Sequence, residues 1–238
     1  MTTFFRHDAD LYFPDSDGKP MADNTEQFRW IVLIKENLEI LFADEPNVFV
    51  AGDLLWFPVK SRLISPVAPD TMVVFGRPKG RRGSYKQWQE DNIAPQVVYE
   101  ILSPSNNAEE MERKLEFYQT YGVEEYYQYD PDRYELKGWH RLGEQLLPIA
   151  HIDGWTSPRL GIRFGVGNHE LVIYRPDGRQ FLSSVELEQQ AEQERLRAEQ
   201  ERLRAEQERQ RAEEAKQQLQ DMQALLQQYR DRFGELDR

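Results

Sequence analysis

Pro95-Gln96-Val97-Val98-Tyr99-Glu100-Ile101-Leu102-Ser103-Pro104-Ser105 is the stretch on which the fold turns. Val97, Val98, Tyr99, Ile101 and Leu102 do not alternate with polar residues, the pattern of a strand covered on both faces. Glu100 interrupts that run. An ionised carboxylate there is costly unless it meets a cation or coordinates a metal. Two readings are open for it: a salt bridge to a core Arg or Lys, or a functional site. Ser103-Pro104-Ser105 ends the strand, and a helix is expected over residues 107–121, closing at Gly122.

Towards the N-terminus, Asp23, Asn24 and Thr25 supply cap candidates for a helix running to about residue 42, with Phe28, Ile31, Ile34, Leu38 and Leu41 at helical spacing. One strand is expected over residues 47–57 and a second over 71–75, followed by a polar connection over 76–93. Towards the C-terminus, an aromatic-rich strand over 125–130 turns at Pro131-Asp132 and pairs as a hairpin with 134–141. Shorter strands are expected near 162–164 and 171–174. This order describes an α/β domain, a mixed sheet with helices on its faces, over residues 23–185 behind an exposed leader at 1–22.

Composition changes at Glu186: from there on the chain has no Pro, its only Gly is Gly234, and Glu, Gln, Arg and Ala dominate. Ala-Glu-Gln-Glu-Arg-Leu-Arg at 191–197 repeats at 198–204, with Glu and Arg at i,i+3 and i,i+4. Residues 186–238 are expected to form a long, coiled-coil-like helix. Leu219, Met222, Leu226, Tyr229, Phe233 and Leu236 alternate three and four apart, as core positions of a coiled coil do. Carried backwards, that register places Ala191, Ala198, Ala205 and Ala212 at one core position but Glu194, Glu201 and Glu208 at the other. A homodimer is therefore expected through the domain and the final heptads, not through the repeats.

The chain of 238 residues has no cysteine, which excludes disulfides and thiolate metal sites. His7, His140, His151 and His169 are scattered without ligand spacing, against a zinc site. The first ten residues lack the apolar run of a signal peptide, and no 18 consecutive residues are apolar, so a cytoplasmic protein without a membrane partner is expected. Of the net charge of −12, the 10 basic and 14 acidic residues of the tail leave −8 on the domain, which counts against tight nonspecific nucleic-acid binding.

Pro69-Asp70, the 95–105 stretch, Lys114-x-x-x-Tyr118, Gly122-Val123-Glu124-Glu125-Tyr126-Tyr127 and Asp130-Pro131 together resemble a bacterial family of restriction endonuclease-like proteins in the PD-(D/E)XK nuclease superfamily. The resemblance covers roughly residues 25–175. It implies a restriction-endonuclease-like sheet, a metal-dependent endonuclease acting on nucleic acid, with DNA the expected substrate, and Mg²⁺ or Mn²⁺ as cofactor. It also implies Asp70, Glu100 and Ile101 as metal-binding positions, and Asp70, Glu100 and Lys114 as the catalytic set. The superfamily's Lys two residues after the acid is absent, because that place holds Leu102. Lys114, fourteen residues after Glu100 and four before Tyr118, matches a Lys moved to the following helix. Hard cations prefer carboxylate oxygen, generate a nucleophilic water and neutralise phosphate charge, and an ammonium beside them orients that water. Glu36, Glu39 and Asp53 are candidates for a further acid. Arg77, Lys79, Arg81, Arg82 and Lys86, with no acid among residues 77–86, are either a phosphate-contact strip or a solvated loop. Beside them, Tyr85 and Trp88 either stack on bases or pack the loop down. The rival reading is a catalytically inactive module of this fold whose tail oligomerises or docks a partner.

Overall fold

The computed structural model describes residues 13–16, 18, 20–166 and 170–234. The first helix, α1 (Thr25–Leu41), starts at Asn24, whose side chain accepts a hydrogen bond from the backbone N–H of Gln27 at 2.8 Å. Trp30, Ile31, Ile34 and Leu38 form its buried stripe. Phe28, expected on that stripe, is instead exposed. It lies six residues from Ile34, about 120° round the helix axis.

The single strand expected over residues 47–57 is two, β1 (Val48–Ala51) and β2 (Trp56–Phe57). They are separated at Gly52-Asp53, where Asp53 takes a positive φ of 47° and its N–H bonds back to the carbonyls of Pro69 and Asp70 at 3.1 and 3.4 Å. The break takes Trp56 and Phe57 off the main sheet to pair in parallel with β4 (Tyr85–Lys86), a two-residue strand too short to leave a periodic signal.

The main sheet adds β3 (Thr71–Phe75), β5 (Val97–Ile101), β6 (Glu125–Asp130), β7 (Glu135–Leu142) and β8 (Gln145–Pro148), in the order β1-β3-β5-β6-β7-β8. The strand β5 is antiparallel to β3 and parallel to β6, and α2 (Ala108–Thr120) makes the crossover between β5 and β6. Two cores lie on opposite faces of this sheet. Val97, Tyr99, Ile101, Tyr127 and Tyr129 join α1 in one, while Val98, Tyr126 and Tyr118 of α2 belong to the other. Burial on both faces accounts for the unbroken apolar run of β5. β9 (Arg163–Val166) and β10 (Leu171–Tyr174) pair antiparallel beside it, with Phe164 and Ile173 in the α1-side core. The leader is not wholly exposed, since Phe13 packs edge-on against Phe57 at 5.3 Å and on Trp88 at 4.9 Å.

The chain divides into two compact units, 1–182 and 183–238. The second is α3 (Ser184–Phe233), 50 residues opened by a capping box in which Ser183 and Glu186 satisfy each other's backbone donors. At 1.5 Å per residue it is about 75 Å long. Leu219, Met222, Leu226 and Tyr229 are exposed along it. Leu236, His7 and His169 lie outside the described residues. Among the described residues no helix is long and apolar enough to cross a membrane.

The end of the first unit is tied down by Asn37, which is 1% exposed. Its Nδ2 donates to the carbonyls of Leu33 and Leu182, both at 2.8 Å, and its Oδ1 accepts from Arg175 Nη2 at 2.9 Å and from the Leu182 N–H at 3.2 Å. Asn37→Leu leaves a buried guanidinium and two backbone groups without partners. We expect it to lower unfolding free energy by about 3 kcal/mol, read from urea denaturation as a lower midpoint with an unchanged slope. A midpoint equal to that of the unsubstituted protein would show that this network adds nothing to stability.

Candidate active site

Thr71 of β3 stands opposite Tyr99 of β5, and the same register carried one step past the end of β3 brings Asp70 to Glu100, whose charge acts on it. Residues so placed project from the same face of a sheet. Both carboxylates are buried, Glu100 at 2% and Asp70 at 8% exposure. The helix α2 supplies the partners of Glu100. Asn107 caps it by accepting from the Glu110 N–H at 2.9 Å, and its residues 114 and 118, one turn apart, face the strand. Lys114 Nζ donates to Glu100 Oε2 at 2.7 Å, and the buried Tyr118 hydroxyl donates to Glu100 Oε1. Of the two readings open for Glu100, pairing with a cation is therefore present, and the cation is Lys114. Ile101 has only its main chain to offer. Its N–H donates to Asp70 Oδ2 at 2.6 Å, and its carbonyl accepts from Gln27 Nε2 of α1 at 2.8 Å.

Burial, then the charge of Glu100, push the Asp70 carboxyl well above the usual carboxylate range, with Asp53 adding to the effect. The Ile101 N–H and the Lys114 ammonium act the other way and are outweighed. Burial works to lower Lys114, yet Glu100 and Asp70 hold its ammonium above the ordinary lysine value. Burial and Glu100 likewise raise the Tyr118 phenol, so it stays a donor. Asp70 therefore holds its proton more tightly than an ordinary carboxyl, and the fixed ion pair of the site is that of Glu100 with Lys114.

A cleft of about 910 Å³ opens over this arrangement, lined by Asp23, Gln27, Asp53, Asp70, Arg113 and Lys114 among others. Glu100 is not part of its wall and lies behind. Glu36 and Glu39, proposed from sequence as further acids, do not line the cleft, and Glu39 pairs with Lys35 at 2.8 Å. Asp53 does line it. The residue that α1 contributes is Gln27, which sequence reasoning missed. Its only signal is a polar side chain on the buried stripe, one turn before Ile31.

Arg77, Lys79 and Arg82 of the 77–86 strip are engaged within the domain. Arg77 and Arg82 both bind Glu90, at 2.9 and 2.7 Å, Lys79 Nζ donates to the carbonyls of Phe42 and Ala43, and none of these cations lines the cleft. A sequence of cations without nearby acids reads as a free strip, but the acid that binds it comes from beyond its end. Tyr85 is buried with its hydroxyl on the Ile93 carbonyl at 2.7 Å, and Trp88 packs on Phe13 and Phe57. Both pack the loop down.

Among the described residues no three or more His, Asp or Glu side chains gather as a metal cluster. What is present is two buried carboxyl groups on neighbouring strands and a main-chain carbonyl, an all-oxygen set in which Asp70 would give up its tightly held proton to a bound cation. That set fits a hard divalent cation which keeps much of its shell as water. Without a metal ion, the raised pKa of Asp70 has an effect on stability of definite sign. A carboxyl whose folded pKa lies above its unfolded value of about 3.9 binds its proton more tightly when folded. Its stabilisation is full below that value and is lost as pH rises through the folded pKa. Asp70→Asn keeps an acceptor for the Ile101 N–H and removes that loss. With chelator present, the variant is therefore expected to melt higher than the wild type, by a margin that widens from acid towards alkaline pH. Parallel melting curves for the two across pH 4–9 would contradict this.

The amino-acid sequence matches the Uma2 family, described as "Putative restriction endonuclease", over residues 29–167, more than half of the chain. No curated protein matches it. Among solved structures it is similar to a crystal structure described as a putative nuclease belonging to DUF820, from Anabaena variabilis ATCC 29413. That likeness has 15% identity and a TM-score of 0.44, covering 60% of this chain and 78% of that one. With the sheet, the cleft and the motif residues gathered in its core, the chain belongs to the Uma2 family of restriction endonuclease-like proteins.

Proposed function

We propose that the domain is a metal-dependent endonuclease that hydrolyses phosphodiester bonds of DNA. The observation that carries this reading is the pair of buried carboxyl groups, Asp70 and Glu100, close enough that the charge of one raises the other, beside a cleft with a lysine ammonium held against Glu100. Mg²⁺ or Mn²⁺, held by Asp70, Glu100 and the Ile101 carbonyl, would supply a polarised water and neutralise charge on the phosphate. The chain's own groups divide the remaining work. Ile101 N–H aims one Asp70 oxygen, and Tyr118 fixes the rotamer of Glu100. Lys114, against the cleft, sets a positive charge where it orients the attacking water or meets the developing phosphate charge.

The rival is an inactive nuclease-fold module. It draws on the occupation of both Glu100 oxygens by Lys114 and Tyr118, and on Arg77 and Arg82 of the 77–86 loop being spent on Glu90. Lys114→Met separates the two. On the endonuclease reading the folded variant, less stable because Glu100 loses its cation, keeps calorimetric Mg²⁺ binding and lowers turnover on plasmid, linear or single-stranded substrates about a hundredfold or more. Lys137→Met, on β7 and paired with Glu135, keeps full activity. Robust cleavage by Lys114→Met at the wild-type rate would remove Lys114 from the mechanism, and an unsubstituted protein that binds no divalent ion and cleaves nothing would favour the module.

For the tail, we infer self-association through its final heptads. Leu219, Met222, Leu226 and Tyr229 offer apolar area at coiled-coil spacing, while Glu201 and Glu208 at core positions repel across a parallel pair. Deleting residues 217–238 is expected to reduce the mass seen by light scattering to that of a smaller oligomer, whereas removing one seven-residue repeat is not. Full-length protein that is monomeric at micromolar concentration would end the dimer reading.

A further inference from the structure

Gln27 is 7% exposed, yet none of its side-chain polarity is wasted. Its Oε1 accepts from the Asp23 N–H at 2.8 Å, and its Nε2 donates to the Ile101 carbonyl at 2.8 Å. One partner is a backbone donor and the other a backbone acceptor, so the amide has a single orientation. The peptide unit that carries the Ile101 carbonyl is gripped at its other end too, because the Leu102 N–H donates to the Tyr129 carbonyl at 2.8 Å. Asp23 is itself bolted to the turn that follows β5. Its carboxylate accepts from Ser103 Oγ at 2.7 Å and from Ser105 Oγ. The start of α1 and the end of β5 thus form one hydrogen-bonded unit at the cleft wall, where Asp23, Gln27 and Asp70 all lie.

A carbonyl oxygen has two acceptor positions, and the bond from Gln27 uses one. We propose that Gln27 is a positioning residue of the metal site, holding the Ile101 carbonyl ready as a ligand for the divalent ion that Asp70 and Glu100 would share. This rests on the metal-dependent reading given above. A polar group that orients a metal ligand from behind acts on affinity for the ion, and its loss typically weakens binding about 10–100-fold. Buried structure elsewhere on α1 has no such effect, and Asn37, ten residues on, provides the contrast.

The test is calorimetric titration of the full chain with Mg²⁺ alone, beside thermal melts of the same samples. Gln27→Met keeps the volume of the side chain and removes both bonds. It is expected to raise the Mg²⁺ Kd about 10–100-fold, to shrink the rise in Tm produced by Mg²⁺, and to recover turnover as Mg²⁺ is raised. Asn37→Leu is expected to lower Tm while keeping the wild-type Kd. Should Gln27→Met fail to fold, Gln27→Asn, whose shorter amide falls short of the Ile101 carbonyl, carries the same expectation. A folded Gln27 variant with the wild-type Mg²⁺ Kd, or an equal loss of affinity in Asn37→Leu, overturns the proposal. Wild-type protein that binds no Mg²⁺ overturns the metal reading beneath it, so the two failures are told apart.

Discussion

Glu100 is a carboxylate in the middle of a six-stranded sheet, 2% exposed, and much of the domain is arranged around meeting its charge. Removing such an ion from water costs several kcal/mol, which is offset only by a cation and hydrogen bonds of good geometry. Lys114 and Tyr118 supply both, and because they are one helical turn apart they determine which face of α2 rests on β5. The helix must also begin and end in place. Asn107 sets its start, and Arg141 from β7 holds its end through the Gln119 and Val123 carbonyls, each at 2.6 Å. The crossover between the parallel strands β5 and β6 is therefore both a packing element and the carrier of the site's only ammonium among the described ion pairs to Glu100.

Asp70 is treated differently from its neighbour. Glu100 receives a cation and a phenol, while Asp70 receives one backbone N–H and feels Lys114 from a distance. Burial, Glu100 and Asp53 oppose these and win, so the carboxyl at the cleft is the one that holds its proton tightly. Arg77 and Arg82 of the 77–86 loop are engaged with Glu90, and Lys79 with backbone carbonyls. A domain of net charge −8 has little long-range attraction for a polyanion. On the nuclease reading, the phosphate must be met locally, at the ion, Lys114 and Arg113.

The tail obeys other rules. Its 50-residue helix has no apolar stripe along most of its length, and alternating Glu and Arg at helical spacing, with a capping box at its start, account for its regularity. Only near its end does apolar surface accumulate.

The sequence by itself determined the strands and helices that bury their own apolar pattern: α1, β3, β5, α2, the β6–β7 hairpin and α3 follow from local periodicity and capping residues. It also determined which residues had to be explained. A Glu inside Val97-Val98-Tyr99 and Ile101-Leu102 demands a partner, and Lys114 and Tyr118 were singled out only by the family resemblance, not as that partner. Elements held by contacts far along the chain were not legible. The division of the 47–57 run into β1 and β2 depends on Asp53 bonding back to Pro69 and Asp70, and β4 exists only through its pairing with β2. The same reason hid Gln27 and drew Arg77 and Arg82 out of the supposed phosphate strip. A hydrogen bond from Gln27 to Ile101 spans 74 residues, and the pairing of Arg77 and Arg82 with Glu90 is set by how the loop folds back. Periodicity reports which side of an element is apolar, whereas only the packed chain decides which polar group meets which.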